Sequence, residues 1–95
     1  MQRAEFESAI RGEGFAEIIE KSAQPNFEAQ PHTHPWDVRI LVLEGQMTVV
    51  KEGVPHVCNP GDTFSMDAHC EHFEKYGAAG STYVLGRREG APAST

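Results

Sequence analysis

Short runs of alternating apolar and polar residues recur along the chain, and this period of two is typical of β-strands with one buried face. The predicted strands are 14–22, 38–45, 47–51, 54–58, 63–66, 72–76 and 82–87. Many short strands separated by turn signals favour an all-β sandwich or barrel. Before them, residues 1–15 are predicted to form a short helix or turn.

Glycine, proline and asparagine separate the predicted strands. The predicted turns and chain breaks are 44–46, 52–53, 59–62 and 77–81. The resulting organisation is an N-terminal segment over 1–25 with the short helix or turn and a first strand, a barrel over 26–86, and a polar C-terminal tail over 87–95.

Two histidines mark the entry to the most apolar strand, in the stretch PHTHPWDVRILVLEG. Side chains two residues apart in an extended chain point to the same face. His32 and His34 therefore share a face, which continues through Trp36, Val38 and Ile40 and is predicted to be the barrel interior. These last three residues are expected to line a pocket. Two imidazoles on one face are either half of a metal site or two loop residues.

A third metal ligand has to come from another part of the chain, and the segment 69–72 offers His69, Cys70 and His72. His72 is the main candidate because it begins a strand, so strand pairing could place it beside the first two histidines. Cys70 is an additional candidate, since a thiolate ligand would suit zinc or iron. Glu71 and Glu74 are interpreted as a solvated rim.

Composition limits the classes of partner. The formal net charge is −6 and the pI is about 5.2, which argues against nucleic acid or an anionic membrane, because both need clustered lysine and arginine. No apolar stretch approaches the roughly 20 residues of a membrane span, and the acidic first residues do not resemble a signal peptide. We expect a cytoplasmic protein in which Cys58 and Cys70 are free thiols.

The chain resembles the cupins, a family of small β-barrels with two histidine-bearing motifs. In the first motif, His32, His34 and Gly45 match, although Asn26 replaces the leading glycine. The resemblance covers residues 26–86 and implies a jelly-roll barrel of two antiparallel sheets, the double-stranded β-helix.

The second family motif is matched less completely. Gly61 and His72 have the family spacing, whereas Asp67, His69 and Tyr76 stand where the family has proline, glycine and asparagine. The resemblance implies that His72 is the third ligand.

The sequence departs from the family at the position of a metal-binding glutamate, where it has Val38. Asp37 is adjacent but points away if the strand is regular; a bulge at Pro35 would reverse that and make Asp37 an additional ligand. The resemblance implies a site of His32, His34 and His72. Such a site would suit Fe, Mn, Zn, Ni or Cu without selecting among them.

Three functions remain open. The first is a mononuclear metal site that binds a small organic ligand, with oxygenase chemistry ahead of isomerase or lyase chemistry. The second is a non-catalytic ligand-binding or regulatory cupin, with or without metal. The third is a metal-free structural remnant, which Val38 would explain. Leu41 and Leu43 lie on the outer face of their strand, and this apolar surface predicts a homodimer.

Overall fold

The computed structural model describes residues 1–92, in which a single helix precedes five β-strands. The elements are α1 (Arg3–Gly12), β1 (Glu17–Ala23), β2 (Trp36–Lys51), β3 (Val54–Cys58), β4 (Thr63–Met66) and β5 (His72–Glu89). The predicted all-β fold of antiparallel strands is confirmed. Within the described part of the chain, no helix is long and apolar enough to cross a membrane.

The long strands β2 and β5 form one antiparallel ribbon that runs through both layers of the barrel. The first half of β2 lies between β5 and β4, while its second half lies between β5 and β3. Strand β1 pairs with the second half of β5. The two predicted sheets are therefore the two halves of a single hydrogen-bonded ribbon that folds over on itself.

Two predicted interruptions of the chain are wrong, because β2 continues through 44–46 and β5 continues through 77–81. The register between the strands shifts on both sides of Gly45, which has a φ of 73°. Such β-bulges bend a strand without ending it. The glycines in 44–46 and 77–81, from which turns were predicted, thus lie at the corner where the ribbon passes from one layer to the other.

The space between the two layers holds the main apolar cluster. Its buried members are Val38, Ile40, Val42, Met47, Val49, Cys58, Tyr76 and Tyr83. Alternate residues of β2 from Val38 to Val42 belong to this cluster, as predicted for the interior face. Apolar side chains therefore fill the space between the two layers.

A second cluster covers the outer face of β2. Helix α1 contributes Phe6 and Ile10, which are one helical turn apart, and they pack with Phe15, Leu41 and Val84. Leu41 is fully buried within this single chain. The expectation that Leu41 needs a second chain to cover it is wrong. The homodimer stays a prediction, but an exposed Leu41 no longer supports it.

Strand β5 extends beyond the barrel limit expected from sequence. Arg88 and Glu89 belong to β5 and pair with the beginning of β2, although both lie beyond the predicted last strand, 82–87, in the predicted C-terminal tail. Residues 93–95 of that tail lie outside the described residues.

Candidate metal centre

The structure brings His32, His34 and His72 together at one end of the barrel. His32 lies opposite His72 in a short antiparallel bridge, with hydrogen bonds from each backbone N–H to the other residue's carbonyl of 2.9 and 3.1 Å. One ring nitrogen from each of the three histidines lies within 4.8 Å of the others. The three imidazoles therefore form a cluster of a size that a single metal ion could bridge.

Backbone carbonyls fix the tautomers of His32 and His72. The Nδ1 atom of His32 lies 2.6 Å from the carbonyl oxygen of Gln30, and Nδ1 of His72 lies 2.9 Å from that of Cys70. A carbonyl can only accept, so each Nδ1 carries the proton and donates it. In the neutral ring the lone pair is then on Nε2, as in metal-ligating histidines held by a backbone carbonyl.

His34 is kept neutral by its surroundings. Its ring stacks on Trp36 at a centroid distance of 4.9 Å and an interplanar angle of 8°. Burial, together with the neighbouring imidazoles of His72 and His32, lowers the pKa of His34. A neutral imidazole is the form that binds a metal ion.

Glu74 lies beside two of the three histidines, and the sequence interpretation missed it. Its carboxylate oxygens lie 3.7 Å from Nε2 of His32 and 3.7 Å from Nε2 of His72, and its side chain is 18% exposed. Nε2 of His72 and Oε2 of Glu74 are buried, and among the described residues neither has a hydrogen-bond partner. The sequence does contain a signal for it, because Glu74 follows His72 by two residues in a strand and therefore points to the same face.

Asp37 lies outside the histidine cluster. Its carboxylate accepts hydrogen bonds from the Ala68 N–H at 2.8 Å and from Nε of Arg88 at 3.1 Å. The bond from Ala68, with further help from Arg88, holds the pKa of Asp37 below its usual range. Trp36 stacks on His34, and the pairing of β2 is regular from Trp36 to Val42, so Asp37 lies on the face opposite the histidines.

Cys70 and His69 also direct their side chains elsewhere. The Cys70 thiol lies 3.9 Å from Glu52 Oε1, and it is the Cys70 carbonyl that contacts a metal-ligand candidate, His72. Nε2 of His69 lies 2.9 Å from the carbonyl oxygen of Ala91. Cys70 therefore orients a histidine through its backbone and does not present its sulfur to the cluster.

A cavity of about 140 Å³ adjoins the histidines. Its lining residues are Lys21, His32, His34, Trp36, Ile40, Met47, Glu74, Tyr83, Leu85 and Arg87. Trp36 and Ile40 thus lie where the sequence predicted pocket walls. Val38 is instead placed in the apolar interior, where it is 2% exposed.

Comparison with protein-family models assigns the chain to a known class. The model for the cupin domain matches residues 21–82, which is well over half of the chain, so the protein belongs to the cupin domain family. A search among curated proteins gives no match.

Solved structures with the same fold include proteins of several kinds. A Rhizobium leguminosarum protein of unknown function is similar with a TM-score of 0.71 and 19% identity, over 76% of this chain and 68% of that one. Salicylate 1,2-dioxygenase from Pseudoaminobacter salicylatoxidans gives 0.69 and 21%, over 74% of this chain and 21% of the dioxygenase. The polyketide cyclase RemF from Streptomyces resistomycificus gives 0.65 and 26%, over 79% of this chain and 56% of the cyclase.

Proposed function

We propose that this cupin binds one divalent transition-metal ion through His32, His34 and His72 and presents it to a small organic ligand. The observation that carries the proposal is the convergence of three imidazoles, two of them with the tautomer fixed so that Nε2 is free to coordinate. The buried Nε2 of His72, which lacks a hydrogen-bond partner among the described residues, fits a metal ligand.

The cavity limits the ligand in size and charge. Typical pockets for drug-sized ligands measure about 300–1,000 Å³, so a space of about 140 Å³ suits a much smaller molecule. Lys21 and Arg87 lie in its wall, and the Arg87 guanidinium is held over the Trp36 ring at 4.8 Å. Arg87 also pairs with Glu17, and Glu74 lies in the same wall but faces His32 and His72. Lys21 and Arg87 therefore favour a small ligand that carries a carboxylate or another anionic group.

The proposed reaction class is metal-dependent oxygenation, with isomerase or lyase chemistry next. A bound metal would supply Lewis acidity or activation of oxygen. The chain itself would place the ligand between Trp36 and Ile40 and neutralise its charge with Lys21 and Arg87. The fold similarity to a dioxygenase and to a cyclase supports an enzyme of this kind without identifying the substrate.

A non-catalytic cupin that binds a small ligand is the second candidate, favoured by the small volume of the cavity. Oxygen uptake separates the two candidates. Metal-loaded protein that consumes oxygen with a small carboxylate substrate supports the oxygenase, whereas ligand binding without turnover supports the binding protein.

The metal site is tested by elemental analysis of protein purified without a histidine tag and then reconstituted with Fe(II), Mn(II) or Zn(II). We expect His34→Ala and His72→Ala to lose most of the metal that the wild type retains. His56→Ala is the matched control, because His56 is exposed on β3 and its ring packs on Phe64. Wild-type protein that retains no metal, or equal loss in His56→Ala, would contradict the proposal.

A further inference from the structure

We propose that Glu74 is a fourth ligand of this metal site and supplies it with an anionic oxygen. The inference rests on the three-histidine site proposed above. The cupin motif has its glutamate at the position of residue 38, where this chain has valine. In the structure, a carboxylate reaches the same cluster from the other long strand, two residues after His72.

The backbone holds Glu74 in a fixed position. Strand β5 pairs regularly with β2 from His72 to Tyr76, and Glu74 lies opposite Val49. On its other side, the carbonyl of Glu74 accepts a hydrogen bond of 2.9 Å from the N–H of Ala29. A side chain carried by a strand that is bonded on both sides is positioned more accurately than one on a loop.

The distances fit ligands of a common ion better than hydrogen-bonded partners. The two separations between Glu74 oxygens and histidine Nε2 atoms are both 3.7 Å, beyond the roughly 3.2 Å limit of a good hydrogen bond. Donor atoms bound about 2.1 Å from one tetrahedral ion lie about 3.4 Å apart. A small side-chain rotation would therefore bring Glu74 to coordination distance of an ion shared with His32 and His72.

The charge balance of the cluster points the same way. Glu74 is mostly buried, and its only acid–base partners among the described residues are His32 and His72. Both rings donate from Nδ1 to backbone carbonyls, so each turns its Nε2 toward the carboxylate. A divalent cation between these atoms would satisfy Nε2 of His72 and Oε2 of Glu74, which are buried and have no hydrogen-bond partner among the described residues.

The test compares Glu74→Gln with Glu71→Gln. Both variants remove one negative charge near His72, but Glu71 is exposed and does not line the cavity that His32, His34 and Glu74 share. Mn(II) and Zn(II) are titrated calorimetrically into metal-free, untagged protein, and thermal unfolding is followed with and without metal. Visible spectra of the Co(II)-loaded forms report the ligand set directly.

We expect Glu74→Gln to weaken Mn(II) binding by at least roughly tenfold, since the loss of even an outer-shell partner weakens metal affinity about 10- to 100-fold. Zn(II) should lose less, because imidazole ligands suit zinc and carboxylates suit manganese. Without metal, Glu74→Gln should unfold at a higher temperature than the wild type, since a buried charge is removed. The Co(II) spectrum should change in Glu74→Gln and stay unchanged in Glu71→Gln.

Two results would overturn the inference, and they are distinguishable. Equal Mn(II) affinity and equal Co(II) spectra in the two variants would leave Glu74 outside the coordination sphere while the three-histidine site stands. A wild type that binds none of the three metals would overturn the proposed function as well.

Discussion

Gly45 gives the sharpest test of how the barrel is built. It occupies the corner of β2 with a φ of 73°, and a Cβ added there would overlap the carbonyl oxygen of Gly80 and lie 3.0 Å from Cα of Ser81. These neighbours are backbone atoms, so rotating a side chain cannot relieve the contact. We expect Gly45→Ala to force β2 and β5 apart and to break the 3.1 Å hydrogen bond from Ser81 Oγ to the carbonyl of Glu44.

Gly53→Ala supplies the matched control. Gly53 has a φ of 79°, but an added Cβ would meet open space. Left-handed backbone costs an L-residue about 1–2 kcal/mol, and the less flexible unfolded chain offsets about 0.4–1 kcal/mol of that. Gly53→Ala should therefore destabilise the protein by about 1 kcal/mol, which is the local strain alone.

Gly45→Ala adds the backbone overlap to the same strain. Each hydrogen bond lost at the corner is worth about 1 kcal/mol, and the strands must also separate, so we expect about 3–5 kcal/mol in total. In a domain of this size, 1 kcal/mol shifts the melting temperature by about 4–8 °C. The two metal-free variants should thus differ by more than about 8 °C in thermal unfolding. Equal losses would refute the close approach of β2 and β5 at this corner.

Further predictions follow from Asp37 and from the β3 edge. The pKa of Asp37 is lowered on folding, so its stabilising contribution is complete above the ordinary value of 3.8 and is lost as pH falls through the lower folded pKa. In Asp37→Asn, the free energy of unfolding should therefore fall less steeply at acid pH, as measured by denaturation at several pH values. An unchanged pH dependence would contradict this role of Asp37. Asp37→Asn should retain metal that His34→Ala loses, as measured by elemental analysis; equal losses would place Asp37 in the site. The predicted homodimer is tested by light scattering: Val54 and Val57 are more than half exposed on the β3 edge, so Val57→Lys should dissociate it, and a monomeric wild type would refute it.

The histidine cluster was predictable because strand parity and the two motif spacings are local properties of the sequence. His32 and His34 share a face in any extended chain, and His72 begins a strand that can pair beside them. Glu74 follows by the same parity from His72, but a glutamate near a strand end is usually solvated. Its burial depends on residues 26–34 crossing over β5, which the sequence does not specify.

The corner at Gly45 and the cover over Leu41 were not predictable for a different reason. Glycine with positive φ serves turns and bulges alike, so the sequence alone does not say whether the strand reverses or bends. Leu41 on an outer face predicts exposure or a partner chain, and only the docking of α1 through Phe6 and Ile10 decides between them. Both outcomes are set by tertiary packing.

The attachment of residues 26–34 has a kinetic consequence. This segment carries His32 and His34 and joins β5 through five backbone hydrogen bonds that form no continuous ladder, whereas His72 belongs to a long paired strand. Weakly attached segments open at a lower free energy than core strands. An ion held by the cluster can therefore enter and leave by local opening while the rest of the barrel stays folded. The dissociation rate of the metal should then follow the opening rate measured by hydrogen exchange at the Ala29 amide.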